Sequence, residues 1–113
     1  MNSQRRMLLA LGVWLPMLAT GSQAALAPAS MTAVAIDIKD FMFAPGTLTV
    51  PVGTEVTWTN RDDDAHTVVS DNGVFRSSAL DTGESFHYTF AMPGTYRFSC
   101  SLHRRMVGIV VVK

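Results

Sequence analysis

Cysteine is almost absent from this sequence, because Cys100 is the only one among its 113 residues. A single thiol cannot form an internal disulfide bond, so no disulfide framework supports the fold. Basic residues are not in excess either, since nine Lys and Arg residues accompany nine Asp and Glu residues. Phosphate recognition requires a clear basic face, so the sequence is not that of a nucleic-acid-binding protein.

A long apolar segment is also missing. The apolar-rich stretch of residues 7–19 is interrupted by a glycine and a proline and falls short of the roughly 20 residues needed to span a bilayer. It follows Arg5 and Arg6 and precedes a run of small residues, which is the order of a secretory signal peptide. We therefore expect residues 1–24 to be a signal peptide, with cleavage after Ala27 as an alternative. The arginine pair leaves the choice between general and twin-arginine export open.

Removal of residues 1–24 leaves residues 25–113, which suffice for a single small domain. This mature chain carries seven basic and nine acidic residues. We expect an exported, monomeric protein without a membrane span, located in the periplasm. A lone thiol is a liability in an oxidising compartment unless something occupies it, and a metal ion would do so.

Much of the mature chain alternates between apolar and polar residues, which is typical of half-buried β-strands. In residues 84–90, for example, three aromatic residues point to one side and His87 points to the other. Turn residues separate such segments, and none of them has a helical period. The pattern predicts an all-β sandwich of about seven to eight short strands. Residues 41–46 are interpreted as a turn, and residues 62–64 as a solvated acidic loop.

Metal-ligand atoms recur every three residues near the end of the chain, at Cys100, His103 and Met106. Residues 94–100 predict a buried strand that ends at the thiol, and residues 107–112 predict the next strand. A short loop between two core strands would hold its ligands rigidly. Thiolate, imidazole and thioether groups suit copper better than calcium or magnesium, which prefer oxygen.

A fourth ligand must come from elsewhere in the chain. Of the other two histidines, His87 lies on the outward face of its predicted strand, whereas His66 follows a loop signal. Two imidazoles, one thiolate and a long axial thioether form the ligand set of blue-copper electron-transfer sites. The sequence therefore predicts one type 1 copper per chain, held by His66, Cys100, His103 and Met106.

The motifs after about residue 34 resemble the plastocyanin/azurin family of cupredoxins, and the ligand loop is most similar to that of amicyanin. This resemblance implies a Greek-key β-sandwich with one copper and the same four ligands. By the same resemblance, His103 has an imidazole edge that reaches solvent, whereas His66 is enclosed by strands. The motifs that carry it are residues 43–45, 48–50, 53, 56–60, 66–68, 93–96 and 100–106.

The chain departs from these relatives around both histidines. Thr67 stands where amicyanins and plastocyanins usually have Asn, so a hydroxyl would have to tie the first ligand to the Cys100 loop. Leu102, Arg104 and Arg105 replace the usual proline and aromatic residues beside the second histidine. The two arginines predict redox partners with an acidic docking surface.

The leading functional hypothesis is a soluble electron carrier in which copper cycles between Cu(II) and Cu(I). The chain is not expected to be an enzyme, because a copper oxidase or nitrite reductase needs further histidine clusters and only three histidines exist. The alternative is a periplasmic copper-delivery or storage module, which would expose its ligands for exchange. A metal-free structural sandwich is the third hypothesis.

Overall fold

The computed structural model describes residues 33–113, together with the isolated Gly12 and Pro16, so the predicted signal peptide lies outside the described residues. Within residues 33–113 the chain forms strands and no helix, and thus no helix that could cross a membrane. The strands are β1 (Ala33–Lys39), β2 (Met42–Ala44), β3 (Thr47–Val50), β4 (Thr54–Asn60), β5 (Val69–Ser70), β6 (Ser85–Phe90), β7 (Gly94–Ser99) and β8 (Val107–Val112).

These strands form two four-stranded sheets. The first sheet has the order β2-β1-β4-β6 and the second has the order β3-β8-β7-β5. The β1–β4 and β3–β8 pairs are parallel, and the remaining pairs are antiparallel. The predicted all-β sandwich is thereby confirmed.

The core between the sheets is built around Trp58, which is fully buried. Its ring packs against Phe75 and Phe90 at centroid distances of 5.5 and 6.4 Å and meets Phe98 edge-on at 5.4 Å. Aromatic contacts of this kind supply much of the packing energy of a small sandwich. The alternation along β4 produces this arrangement, because every second residue from Thr54 to Asn60 is buried.

The interpretation of residues 41–46 as a turn is wrong, because Met42–Ala44 forms strand β2 and pairs with β1. The connection between the two strands is only Asp40 and Phe41, both of which have positive φ angles, 54° and 58°. Two positive φ angles define the tight type I′ hairpin turn, which normally carries Asn-Gly or a similar pair. An aspartate followed by a phenylalanine gives no such signal in the sequence.

Candidate metal centre

His66 is positioned by a network that begins where β4 ends. The fully buried Asn60 donates from its side-chain amide to the carbonyl oxygens of Asp64 and Leu80, both at 2.8 Å. The backbone of Leu80 in turn exchanges two hydrogen bonds with the backbone of His66, at 3.1 and 2.7 Å. The histidine is thus fixed from both sides although it lies outside the main strands.

Cys100 and Met106 lie at the two ends of the second ligand segment, between β7 and β8. The backbone N–H of Cys100 donates to the carbonyl oxygen of Met106 at 3.1 Å. The N–H of Met106 donates to the carbonyl oxygen of His103 at 3.0 Å. These bonds close residues 100–106 into a compact loop. Met106 is buried, whereas His103 is partly exposed.

The structure brings three of the four predicted ligands together. One ligand atom each from His66, Cys100 and His103 lies within 4.8 Å of the others. The Sγ atom of Cys100 is 3.8 Å from Nδ1 of His66 and 3.8 Å from Nδ1 of His103. His66 and Cys100 are completely buried, so strands and loops enclose the first histidine while the second reaches the surface.

The surroundings of the Cys100 thiol favour its ionised form. Burial raises the pKa, but hydrogen bonds from the backbone N–H of Thr67, the two histidines and the backbone of Leu102 outweigh burial and lower the pKa to about 6. The Thr67 N–H lies 3.3 Å from Sγ. Because the thiolate is the form that binds metals, the thiol is prepared for a metal ion at neutral pH.

Thr67 also performs the tethering that its position predicted. The backbone N–H of Ser101 donates to Oγ1 of Thr67 at 2.8 Å, and the two hydroxyl groups lie 2.8 Å apart. Thr67 follows His66 directly and Ser101 follows Cys100 directly. The hydroxyl group therefore connects the two ligand segments.

Asp62 is a site residue that the sequence analysis missed, because residues 62–64 were interpreted as a solvated loop. Its Oδ2 lies 2.8 Å from Nε2 of His66, and its side chain is only 11% exposed. Burial raises the pKa of this carboxyl group, but hydrogen bonds from the backbone N–H groups of Phe41 and Asp40 and from His66 lower it below its usual value. The interaction occupies Nε2 and leaves Nδ1 of His66 for a metal.

Phe41 is the second residue that the sequence analysis missed. Its ring meets the His66 ring edge-on at a centroid distance of 5.1 Å and the His103 ring at 4.9 Å. The two imidazoles are themselves 5.0 Å apart. The three rings form a triangle that runs from the buried His66 to the partly exposed His103 and Phe41, and 45% of Phe41 is exposed.

The spacing of the donors fits a transition-metal ion, and their chemical types favour copper. Typical bond lengths in zinc sites are about 2.0 Å to nitrogen and 2.3 Å to sulfur. A trigonal ion with these bond lengths would hold a nitrogen donor about 3.7 Å from the sulfur donor. The observed N···S distances of 3.8 Å agree with this value. A thiolate with two imidazoles, and a buried thioether at Met106 in the same loop, is a set that favours copper over oxygen-seeking cations.

An all-β sandwich that gathers two imidazoles and one thiol within 4.8 Å of one another defines a small protein of the blue-copper type. Comparison with known families agrees, because a model described as a cupredoxin-like domain matches residues 7–112. The chain belongs to this cupredoxin-like family.

Individual relatives confirm the resemblance to amicyanin. Amicyanin from Paracoccus denitrificans is 35% identical over 86 residues, which cover 72% of this chain and 66% of that protein.

Two solved structures of other proteins are also similar to this chain. A purple cupredoxin from Nitrosopumilus maritimus is 36% identical, with a TM-score of 0.66 over 71% of this chain and 99% of that one. A copper-containing nitrite reductase from Thermus scotoductus SA-01 is 31% identical, with a TM-score of 0.68 over 72% of this chain. This chain spans just under two thirds of the amicyanin and 22% of the reductase.

Proposed function

We propose that this chain is a periplasmic electron carrier with one type 1 copper, ligated by His66, Cys100, His103 and Met106. The observation that carries the proposal is the convergence of two imidazoles on one buried thiol. Bound copper would supply a one-electron couple between Cu(II) and Cu(I). The similarity to amicyanin, plastocyanin and halocyanin supports the assignment to electron transport.

Each residue of the centre has a distinct role in this proposal. Cys100 provides a thiolate that the surrounding hydrogen bonds hold ionised near neutral pH. His66 is fixed by the Asn60 and Leu80 network, and the buried thioether of Met106 would hold the copper as a fourth, weaker ligand. His103 is the partly exposed ligand, so its ring edge is the route by which an electron reaches a docked partner.

The proposed redox partners present carboxylates near this edge. Arg104 and Arg105 follow His103 directly, and both are exposed. Opposite charges on two docking surfaces raise the association rate at low ionic strength. The carrier is proposed to act as a monomer.

We also propose that residues 1–24 direct export and that residues 25–113 form the mature domain. The order of charged, apolar and small residues in the sequence supports this division. N-terminal sequencing of the secreted protein tests it, and we expect the mature chain to begin at Ala25, or at Pro28 if cleavage follows Ala27.

A catalytic role for this domain alone receives no support from its histidine content. The nitrite reductase to which it is similar is much longer, and the matched part covers 22% of that enzyme. Copper delivery is the competing function. It is disfavoured because His66 and Cys100 are completely buried and a delivery site must offer its ligands for exchange.

An exchange experiment separates a carrier from a delivery protein. The mature protein is loaded with copper, cycled by voltammetry, and then challenged with a strong Cu(I) chelator in the reduced state. A carrier gives a reversible one-electron wave and loses its copper slowly on the timescale of the cycling. Rapid transfer of Cu(I) to the chelator without reversible cycling would establish delivery instead.

A further inference from the structure

We propose that Asp62 is a positioning residue that joins the His66 ring and the Phe41 turn into one rigid unit beside the metal centre. The proposal extends the proposed function, because it concerns ligands of the same site. Its main tests nevertheless use the metal-free protein.

The carboxylate of Asp62 receives three donors at once. Oδ1 accepts from the backbone N–H of Asp40 at 2.7 Å, and Oδ2 accepts from the N–H of Phe41 at 3.0 Å. The same Oδ2 lies 2.8 Å from Nε2 of His66. One side chain therefore connects the β1–β2 turn to a ligand that is 25 or more positions away in the sequence.

The turn provides two donors on one side because of its unusual backbone. Asp40 and Phe41 both have positive φ angles, 54° and 58°, and consecutive residues of this kind can direct their N–H groups toward one anion. Such a conformation is unfavourable for a bulky residue, and strain of this kind tends to occur at functional sites. Glycine would relieve the strain, so the presence of Phe41 indicates that its ring has a use.

That use is contact with the two ligand imidazoles. The Phe41 ring packs edge-on against His66 and His103 at about the same distance, 5.1 and 4.9 Å between centroids. No hydrogen bond joins Asp62 to His103 among the contacts of residues 33–113. We therefore infer that Asp62 affects the surroundings of His103 by holding the Phe41 ring against it.

Asp62 is itself held firmly. Its N–H donates to Oδ1 of Asn60 at 2.9 Å, and its carbonyl oxygen accepts from Oγ1 of Thr82 at 2.5 Å. A carboxylate anchored in this way fixes the tautomer and the orientation of a ligand histidine and raises its basicity. The neighbouring Asp63 is exposed and has no side-chain hydrogen bond within the described part of the chain, so it provides a matched control.

The first test uses NMR of the metal-free mature protein. In the wild type we expect an observable, slowly exchanging Nε2–H proton on His66. Rapid exchange of that proton in the folded wild type would overturn the proposal without any variant. Asp62→Asn retains only one acceptor oxygen for three donors, so the Nε2–H protection should be lost, whereas Asp63→Asn should leave it intact.

The second test follows the ring protons of His103, which the Phe41 ring current shifts. Asp62→Asn should move these signals in the wild-type background but not in a Phe41→Leu background. Asp63→Asn should move them in neither background. Equal shifts in both Asp62→Asn backgrounds, or none, would show that Asp62 does not position Phe41 and would overturn the coupling.

The copper-loaded protein provides a third measurement. Loss of the carboxylate partner should weaken Cu(II) binding about 10- to 100-fold and raise the reduction potential relative to Asp63→Asn. Identical potentials in the two variants would contradict the positioning role. Failure of every variant and of the wild type to bind copper would instead refute the proposed function, while the NMR outcome would stand on its own.

Discussion

The backbone N–H of Thr67 donates a hydrogen bond to Sγ of Cys100 across 3.3 Å, although 33 positions separate the two residues in the sequence. The same threonine accepts from the N–H of Ser101 through its hydroxyl oxygen. One residue thus stabilises the thiolate through its backbone and holds the second ligand segment through its side chain.

Replacing Thr67 by Val should remove the hydroxyl contacts, those with Ser101 and the one at 3.7 Å from Sγ of Cys100, while valine keeps the backbone donor and the shape. We expect a loss of about 1 kcal/mol in the free energy of unfolding, since Ser101 loses its acceptor. Thr67→Ser is the control and should behave almost as the wild type. Urea unfolding of the metal-free proteins measures the difference, and equal midpoints for Val and Ser would contradict the tethering role.

The pKa of the Cys100 thiol should be about 6 in the folded, metal-free protein, well below its ordinary value of 9.0. A lowered pKa in the folded state means that ionisation stabilises the fold. This stabilisation is complete above about pH 9 and is lost as the pH falls through about 6. Ultraviolet absorbance of the thiolate follows the titration, and Cys100→Ser provides the blank.

The same linkage predicts how stability depends on pH. Between pH 6 and pH 9, the unfolding free energy of the metal-free wild type should rise relative to that of Cys100→Ser. A thiol that titrates near pH 9, with parallel stability curves for the two proteins, would show that the hydrogen bonds around Cys100 do not act as described.

Gly108 should not tolerate alanine. A Cβ atom at this position would overlap Cζ of Phe98 and lie 2.6 Å from Cε2, and the ring is fully buried in the core. Overpacking of this kind typically costs about 1 to 3 kcal/mol. Gly46→Ala is the control, because its Cβ would make only an ordinary contact with the Phe43 carbonyl oxygen at 3.6 Å. Thermal unfolding should show a clear drop for Gly108→Ala alone.

Arg105 should steer charged redox reagents toward the exposed edge of His103. We expect Arg105→Glu to slow oxidation by the anion ferricyanide about tenfold at low ionic strength and to accelerate oxidation by a cationic cobalt complex. High salt should remove both effects. Lys113→Glu changes the charge equally at the far end of β8 and should have little effect. Equal rates for the two variants would exclude steering by Arg105.

Most of the fold could be predicted from the sequence, because apolar and polar residues alternate regularly along the strands. Along β6, the predicted faces agree with the observed burial, including the exposed position of His87. The β1–β2 hairpin was not predictable in the same way. Its turn at Asp40 and Phe41 requires two positive φ angles, and neither residue type signals such a backbone.

The site residues also differ in whether the sequence could predict them. The three donors that the structure brings together are residues whose chemistry alone suggests a metal. Asp62 could not be distinguished from Asp63 and Asp64 in the sequence, because only contacts with the distant His66 and Phe41 set it apart. The role of Phe41 depends on the same long-range geometry.

The proposed function requires that one copper binds to the thiolate of Cys100 and to two imidazoles. A titration of the metal-free mature protein with Cu(II), followed by visible absorption, measures this binding. We predict an intense thiolate charge-transfer band that saturates at one copper per chain and is absent from Cys100→Ser, which should remain folded by circular dichroism. A band that persists in Cys100→Ser, or a folded wild type that binds Cu(II) without any intense visible band, would show that Cys100 is not a copper ligand.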